Sequence, residues 1–431
     1  MSRKESADGS PRVRAFLLAF LIVSWASSFA SATSDGEIRA RGVLRVGMSG
    51  DYAPFCVCPE SNDDCFGFEV DAARRLAADL GVELQIVRFQ WPDLRRDFQE
   101  EKFDLVMSGI TMRPERLLFA VFSRPYAVAG AVVLVADKDR FPSVTAINQA
   151  GVRLAVNAGG HLEQVARTVF GHATILPIAK NMALPDVVKN QQAEALLTDS
   201  FEAPQFLAKY TKLSALPAFG RDRKAYLLHR SDEKFQEWLD AWFHDREADD
   251  FLPGLRRRWL RGNTIQSLVP LTEIFALLDL RLALMPAVAD YKRRFSFPVE
   301  DPTQEASVLE SISTLARERG QDPEALQELF RVQIDLAKEV QQFILDNPQR
   351  LPVWARGLHL HSELRPVLSS LNGQIIDAVA RVPSLSLSQD ELVRRTEEEI
   401  VTEGVTTTGK QHLGKAMWRA IAEKARQFPA H

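Results

Sequence analysis

Arg281 and Lys292 interrupt an apolar stripe at helical spacing, formed by Ile274, Leu278, Met285 and Val288, and they set the chemistry that this chain has to explain. They are eleven residues apart, so at about 100° per residue they project within about 20° of each other. A cation on a core face needs an anion, because burying an unpaired charge is costly. Either the protein supplies a carboxylate or a ligand does. Asp301 and Glu305 are the carboxylates at hand, four apart at a predicted helix start, and Glu305 continues into the apolar line Val308, Ile312, Leu315. Gln341 falls in line with Ile334 on a further helix, so polar groups from several helices point inward.

The elements that must position these groups belong to the second half of a 431-residue chain, long enough for two domains behind a leader. Arg12 and Arg14 precede an apolar run from Ala15 to Trp25, and Ala30-Ser31-Ala32 offers a small-x-small cleavage site, so residues 1–32 are predicted to be a signal peptide. No later segment approaches the roughly 20 apolar residues of a membrane span, so no membrane partner is expected once the leader is cleaved. A net charge of -4 spread without blocks argues against nucleic acid and leaves small molecules as partners. Cys56, Cys58 and Cys65 crowd one loop, where Cys58 with Cys65 would make a local clip in an exported protein. No metal and no cofactor is expected, since three cysteines at this spacing match no zinc pattern and His359 and His361 stand apart from them. A homodimer is compatible with the sequence but nothing in it requires one.

From Val43 to about Trp259 short β-branched runs alternate with amphipathic helices, which implies α/β architecture. Strands are predicted at Val43–Met48, Leu84–Val87 and Asp104–Met107, then, after the apolar run Ala131–Ala136, at Val152–Val156 and Ala193–Leu197. Helices are predicted at Phe68–Leu80, from Gly160 and from Ser200. Two sets imply two lobes with a ligand cleft between them. The boundary is predicted near Gly262-Asn263, giving domains at 37–262 and 265–431. The second is all-α, with helices expected at 268–295, 302–319, 323–345, about 362–382, 388–402 and 409–427. Asp301-Pro302 and Asp322-Pro323 read as N-caps followed by a first-turn proline, Gly320 as a helix stop, and Pro286 as a kink.

Gly50-Asp51-Tyr52-Ala53-Pro54-Phe55, Gly67-Phe68-Glu69-Val70-Asp71, Ser108-Gly109-Ile110-Thr111 with Glu115-Arg116, and Phe122-Ser123-Arg124-Pro125-Tyr126 resemble the polar amino-acid-binding proteins of bacterial import systems. The resemblance implies that Arg116 grips a ligand carboxylate, a task suited to a planar fork of donors. Gln90-Trp91-Pro92-Asp93-Leu94, Asn157-Ala158-Gly159-Gly160, Thr198-Asp199-Ser200-Phe201-Glu202-Ala203 and Lys224-Ala225-Tyr226-Leu227-Leu228 are more similar to the periplasmic cyclohexadienyl dehydratases within that family. That likeness makes Glu202 the general acid, which fits a reaction in which prephenate loses carbon dioxide and water together. Asn157 and the backbone of Gly159 and Gly160, opening a helix, would hold a second carboxylate, and Trp91 would wall the cleft. The chain departs from those enzymes at His161-Leu162, in place of Thr-Asn, and at Ala129-Gly130-Ala131, in place of Asp-Gly-Lys.

Arg281-Leu282-Ala283-Leu284-Met285, Tyr291-Lys292, Pro298-Val299-Glu300-Asp301, Glu305, Asp322-Pro323 and Gln333-Ile334 through Gln341 resemble the secreted, all-helical chorismate mutases. The resemblance runs from about Leu271 to Asn372. It implies that Arg281 and Arg365 hold substrate carboxylates, that Lys292 and Gln341 face the ether oxygen, and that Glu305 meets the ring hydroxyl. Chorismate is a dianion whose rearrangement needs no acid, base or nucleophile, only a compact conformer with positive charge at the breaking ether bond. Where that family usually has an arginine three residues after the aspartate matching Asp301, this chain has Gln304. The expectation is thus a two-lobed α/β periplasmic-binding-protein-like domain followed by an all-α chorismate-mutase-like domain. It would be a periplasmic, bifunctional enzyme acting on chorismate, prephenate and arogenate. The alternative is a non-catalytic amino-acid or organic-acid binding domain fused to a mutase, or to a mutase silenced by Gln304.

Overall fold

The computed structural model describes residues 35–59, 64–230, 232–260, 270–382 and 387–427. The predicted leader and the predicted boundary at Gly262-Asn263 lie outside them. Val43–Met48 pairs in parallel with Glu83–Arg88 on one side and Leu105–Val106 on the other, and Leu227–His229 and Ala120–Phe122 extend this first sheet antiparallel. The second sheet runs Ser214–Ala215, Ala127–Val135, Ala195–Asp199, Arg153–Asn157, Thr174–Ile178, with Phe219–Lys224 also antiparallel to Ala127–Val135. Each sheet with its helices is one lobe, as the alternating pattern implies.

The chain crosses between lobes twice, and the crossings are bonded to each other. Ser123 N donates to the Tyr226 carbonyl at 3.0 Å, Tyr126 N to the Lys224 carbonyl at 2.9 Å, and Tyr226 N to Ser123 Oγ at 2.8 Å. The chain then returns to the first lobe as helices Glu233–Ala248 and Phe251–Trp259, where Trp242 and Trp259 donate their indole N–H groups to Asp79 and Asp71 at 2.7 and 2.9 Å. Cys58 and Cys65 form the expected clip, and Cys56 stays a buried free thiol. Among the described residues no helix is long and apolar enough to cross a membrane.

The second half consists of helices Pro270–Ala283, Met285–Arg294, Pro302–Glu318, Pro323–Asp346, Arg365–Arg381, Gln389–Glu399 and Thr407–Gln427. Asp301 caps its helix by accepting from Gln304 N at 3.0 Å, and Asp322 accepts from Glu324 N and Ala325 N at 2.8 and 3.1 Å. Such caps contribute about 1 kcal/mol each. The single kinked helix expected over 268–295 is instead two helices, because Pro286 sits in the first turn of a new one that starts after Leu284. The first of these helices packs on the first lobe. Leu271, Ile274 and Phe275 share one apolar core with Phe98, Phe103, Leu117 and Phe122.

That same helix grips both lobe crossings. Arg124, on the outward crossing, pairs with Glu273 at 3.1 Å, and Arg223, on the return, pairs with Asp279 at 3.2 Å and with Glu399 at 2.9 Å.

Candidate active sites

Strand ends and the loops beyond them bring Tyr52, Trp91, Thr111, Arg116, Asn157, Gly160, His161, Leu162, Asn181, Asp199, Glu202, Asp222 and Lys224 around one cleft between the lobes, leaving only about 40 Å³. Asn157 and Asp199 are the last residues of parallel strands, where α/β sheets place their ligands. The helix expected from Ser200 starts instead at Ala203, which leaves Glu202 at its N-cap, 2% exposed and turned into the cleft. Glu202 is thus a cleft residue and not a glutamate on a helix surface. Thr198 Oγ1 donates to its Oε2 at 2.6 Å and Asn181 Nδ2 to its Oε1 at 2.5 Å. Burial, seconded by the Asp199 carboxylate, raises the Glu202 pKa well above the usual glutamate range despite those bonds.

Asp199 accepts from the Tyr52 hydroxyl and from the amides of Phe201 and Glu202 at 2.9 and 3.0 Å. Lys224 Nζ lies 2.7 Å from Asp222 and 3.7 Å from Asp199, and stands 5.1 Å from the centre of the Tyr52 ring. Arg116 is buried and donates to the Thr111 carbonyl at 2.7 Å, and among the described residues no carboxylate lies within ion-pair distance of it. Burial pulls its pKa down to about 10. His161 is pushed down to about 4, by burial first, and by Arg113, Lys224 and Arg116 against the opposite pull of Asp222, so it is neutral at pH 7.

Asn157 and Gly160 line the cleft, and Asn157 Oδ1 is buried with no hydrogen-bond partner among the described residues. Gly159 does not serve as expected. Its amide donates to Glu163 Oε2 at 2.7 Å, so that N–H is taken by the helix's own side chain. It is glycine because its φ is +74° and a Cβ would lie 2.8 Å from Pro92 N across the cleft. Trp91 both lines the cleft and packs edge-on against Phe89, with ring centres 5.4 Å apart.

The second site is a cavity of about 310 Å³ inside the helical half, lined by Arg281, Met285, Val288, Lys292, Asp301, Gln304, Glu305, Ile334, Lys338, Gln341, Arg365 and Asn372, among others. Arg281 and Lys292 line it together even though the helix breaks between them. Arg281 is 5% exposed, donates to Asn372 Oδ1 at 3.0 Å and lies 5.8 Å from the centre of the Phe330 ring. Among the described residues no carboxylate is paired with it, so Asp301 and Glu305 do not neutralise it. Burial lowers its pKa to about 10. Lys292 donates to the Val299 carbonyl at 2.5 Å. Gln341 Nε2 donates to the Ala337 carbonyl at 3.1 Å and approaches Met285 Sδ at 3.8 Å, while its Oε1 is buried with no partner among the described residues. Arg365 Nη1 sits 3.0 Å from His361 Nδ1. Asp301, expected as a substrate contact, lines the mouth exposed and commits one oxygen to its helix cap. Arg293 and Arg294 pair with Asp290 away from this cavity.

Reading the residues assigned no role to Tyr52, Asp199, Asp222 or Lys224 in the cleft, nor to Lys338 and Asn372 in the cavity. Tyr52, Asp199 and Lys224 lie inside motifs that carry the resemblance. Asp222 lies in the run Arg221-Asp222-Arg223-Lys224, which has the composition of a solvated edge. The signal for Lys338 was its place four residues after Ile334 and three before Gln341.

Residues 44–262 match the family model of bacterial extracellular solute-binding proteins, family 3, and residues 272–342 match that of chorismate mutase type II. A cyclohexadienyl dehydratase of Pseudomonas aeruginosa is 36% identical over 249 residues, 57% of this chain and 92% of that protein. The L-cystine-binding protein TcyJ of Escherichia coli is 25% identical over 236 residues, 54% of this chain and 88% of its own length. Among solved structures, an ancestral amino-acid-binding protein described as a precursor of cyclohexadienyl dehydratase matches with a TM-score of 0.50 and 31% identity, over 53% of this chain and 99% of that one.

Proposed function

We propose that this chain, which belongs to the bacterial extracellular solute-binding proteins of family 3 and carries a type II chorismate mutase domain behind that fold, performs two consecutive reactions toward phenylalanine. The helical domain, taken as 265–431, converts chorismate to prephenate. The two-lobed domain, taken as 37–262, converts prephenate to phenylpyruvate, or arogenate to phenylalanine. Residues 1–32 direct export, so both reactions run in the periplasm.

In the helical cavity Arg281 and Arg365 take the two carboxylates of chorismate, and Lys292 stands at the ether oxygen, where negative charge grows as the C–O bond breaks. Gln341 gives up its weak sulfur contact to donate there as well. Glu305 meets the ring hydroxyl. In the cleft Arg116 holds one carboxylate of prephenate, and Asn157 with the helix start at Gly160 holds the other. Glu202 delivers its proton to the departing ring hydroxyl, which leaves as water. The ring carboxylate leaves as carbon dioxide, and its bonding pair completes the aromatic ring.

One observation carries the enzymatic reading: Glu202 is buried in the cleft, and burial first, then the Asp199 carboxylate, raises its pKa well above the usual glutamate range, the direction a general acid requires. The second reading, a domain that captures an amino acid without transforming it, is favoured by His161 and Leu162, which line the cleft where the related dehydratases carry Thr-Asn. Purified protein given chorismate should accumulate phenylpyruvate with prephenate as a transient. Prephenate that accumulates and stays bound, with no phenylpyruvate, would establish the binding reading.

A further inference from the structure

We propose that Lys338 is a substrate-binding residue of the mutase site, a carboxylate-gripping ammonium that takes over the work of the arginine which Gln304 has replaced. The inference rests on the mutase reading above and deepens it.

Lys338 lies on helix Pro323–Asp346 one turn before Gln341 and one turn after Ile334, so the three share a face, and all three line the cavity. Its ammonium stands 3.3 Å from Glu305 Oε2. Gln304 and Glu305 line the same cavity from the neighbouring helix, so Lys338 brings a positive charge to a wall that Gln304 leaves neutral. Its side chain is 25% exposed, which suits a group that meets ligand at the mouth of the cavity.

Charge decides between this role and a surface ion pair. The cavity is lined by four cations, Arg281, Lys292, Lys338 and Arg365, and by two carboxylates, Asp301 and Glu305. The surplus is two positive charges, which is what a dicarboxylate substrate neutralises. Without Lys338 the lining carries a surplus of one, and one substrate charge enters the site unmatched. Lys338 also pairs with Asp335 at 3.0 Å, but Asp335 is 60% exposed and on the solvent side, so that contact steadies the ammonium without consuming it. Two cations at 304 and 338 together would repel.

The test is steady-state mutase kinetics on the full chain with Lys338→Met, Lys338→Arg, Gln304→Arg and the double variant Gln304→Arg/Lys338→Met. Lys338→Met should lower kcat/KM about tenfold to a hundredfold with KM carrying most of the change and the thermal midpoint unmoved, and Lys338→Arg should stay within a few-fold of wild type. Gln304→Arg should bring no gain alone, yet recover most of the loss in the double variant. Lys338→Met within twofold of wild type, or Gln304→Arg raising activity equally in both backgrounds, overturns the assignment and leaves Lys338 a surface partner of Asp335. Lys292→Ala is the control that separates the two levels. If Lys292→Ala abolishes turnover and Lys338→Met does not change it, this inference fails alone, whereas an inactive wild type or an indifferent Lys292→Ala removes the mutase reading itself.

Discussion

The cleft of the first half and the cavity of the second are built on opposite electrostatic plans. In the cleft most polar groups are already engaged with one another: Asp222 with Lys224 at 2.7 Å, Asp199 with Tyr52, Glu202 with Thr198 and Asn181. The space left is about 40 Å³, so the lobes must part before a ring-sized substrate enters, and entry must exchange internal bonds for substrate bonds. The cavity holds about 310 Å³ with an excess of cations, and Arg281 has no carboxylate partner among the described residues. The cavity is therefore set for a dianion before it arrives. Preorganised charge is what a rearrangement without acid or base requires, whereas an elimination needs a proton donor sealed from water.

If this contrast is right, the largest single loss should follow removal of the charge at the breaking ether bond. Lys292→Ala should lower mutase turnover by about a hundredfold or more, roughly 3 kcal/mol, with helical circular dichroism intact. Dehydratase turnover on added prephenate should be unaffected. Loss of both activities together would mean that the variant is misfolded and that the two sites are not independent.

Next in size is the proton donor of the cleft. Glu202→Gln keeps the shape and the bonds to Thr198 and Asn181 but has no proton to give, so phenylpyruvate formation should fall about a hundredfold while prephenate still binds. Arg116→Ala should weaken binding as well as turnover, because it strands a substrate carboxylate in a closing cleft. Calorimetric titration with prephenate, beside phenylpyruvate assays, separates the two. Equal loss of binding in both variants would make Glu202 a binding group.

Both plans were legible in the sequence wherever a local period carried them. Val43–Met48 alternates, Asp301-Pro302 and Asp322-Pro323 announce their helices, and the stripe with Arg281 and Lys292 needs only a 3.6-residue repeat. What escaped depends on contacts distant in sequence. Phe219–Lys224 carries the charged run Arg221-Asp222-Arg223-Lys224, yet Asp222, Arg223 and Lys224 are buried, because this strand leads into a lobe crossing flanked by the cleft on one side and by Asp279 and Glu399 of the helical half on the other. Thr174–Ile178 contains a proline and no alternation, and it is a strand because it pairs in parallel at the sheet edge. The break after Leu284 was expected as a kink, since sequence places a proline in a helix but does not say whether the helix restarts. Gly159 was assigned a ligand role from its place before a helix, and only the approach of Pro92 reveals why it is glycine.

The smallest predicted effect sharpens the contrast by its dependence on pH. Buried groups of the α/β half include a carboxyl that titrates near neutrality: Glu69 is fully buried, accepts from Tyr126 and from Gly109 N at 2.7 Å, and has its pKa raised to about 7, by burial acting against those bonds and against Lys224. In the helical cavity burial lowers Arg281 to about 10, so it stays charged through neutral pH, while at Lys338 burial is outweighed by Asp335 and Glu305, which raise it. The signs differ. A carboxyl raised above its unfolded value contributes stability that is complete below about pH 4.5 and is lost as pH rises through about 7, so Glu69 should cost about 1 kcal/mol of stability between pH 6 and 8. Arg281 contributes nothing in that window, because it is charged in both the folded and unfolded chain. The unfolding midpoint should therefore fall as pH rises from 6 to 8, and Glu69→Gln, which cannot ionise, should flatten that slope. An unchanged slope in Glu69→Gln would assign the pH dependence to other buried acids, with Asp240, raised to about 6 chiefly by burial, the first to substitute next.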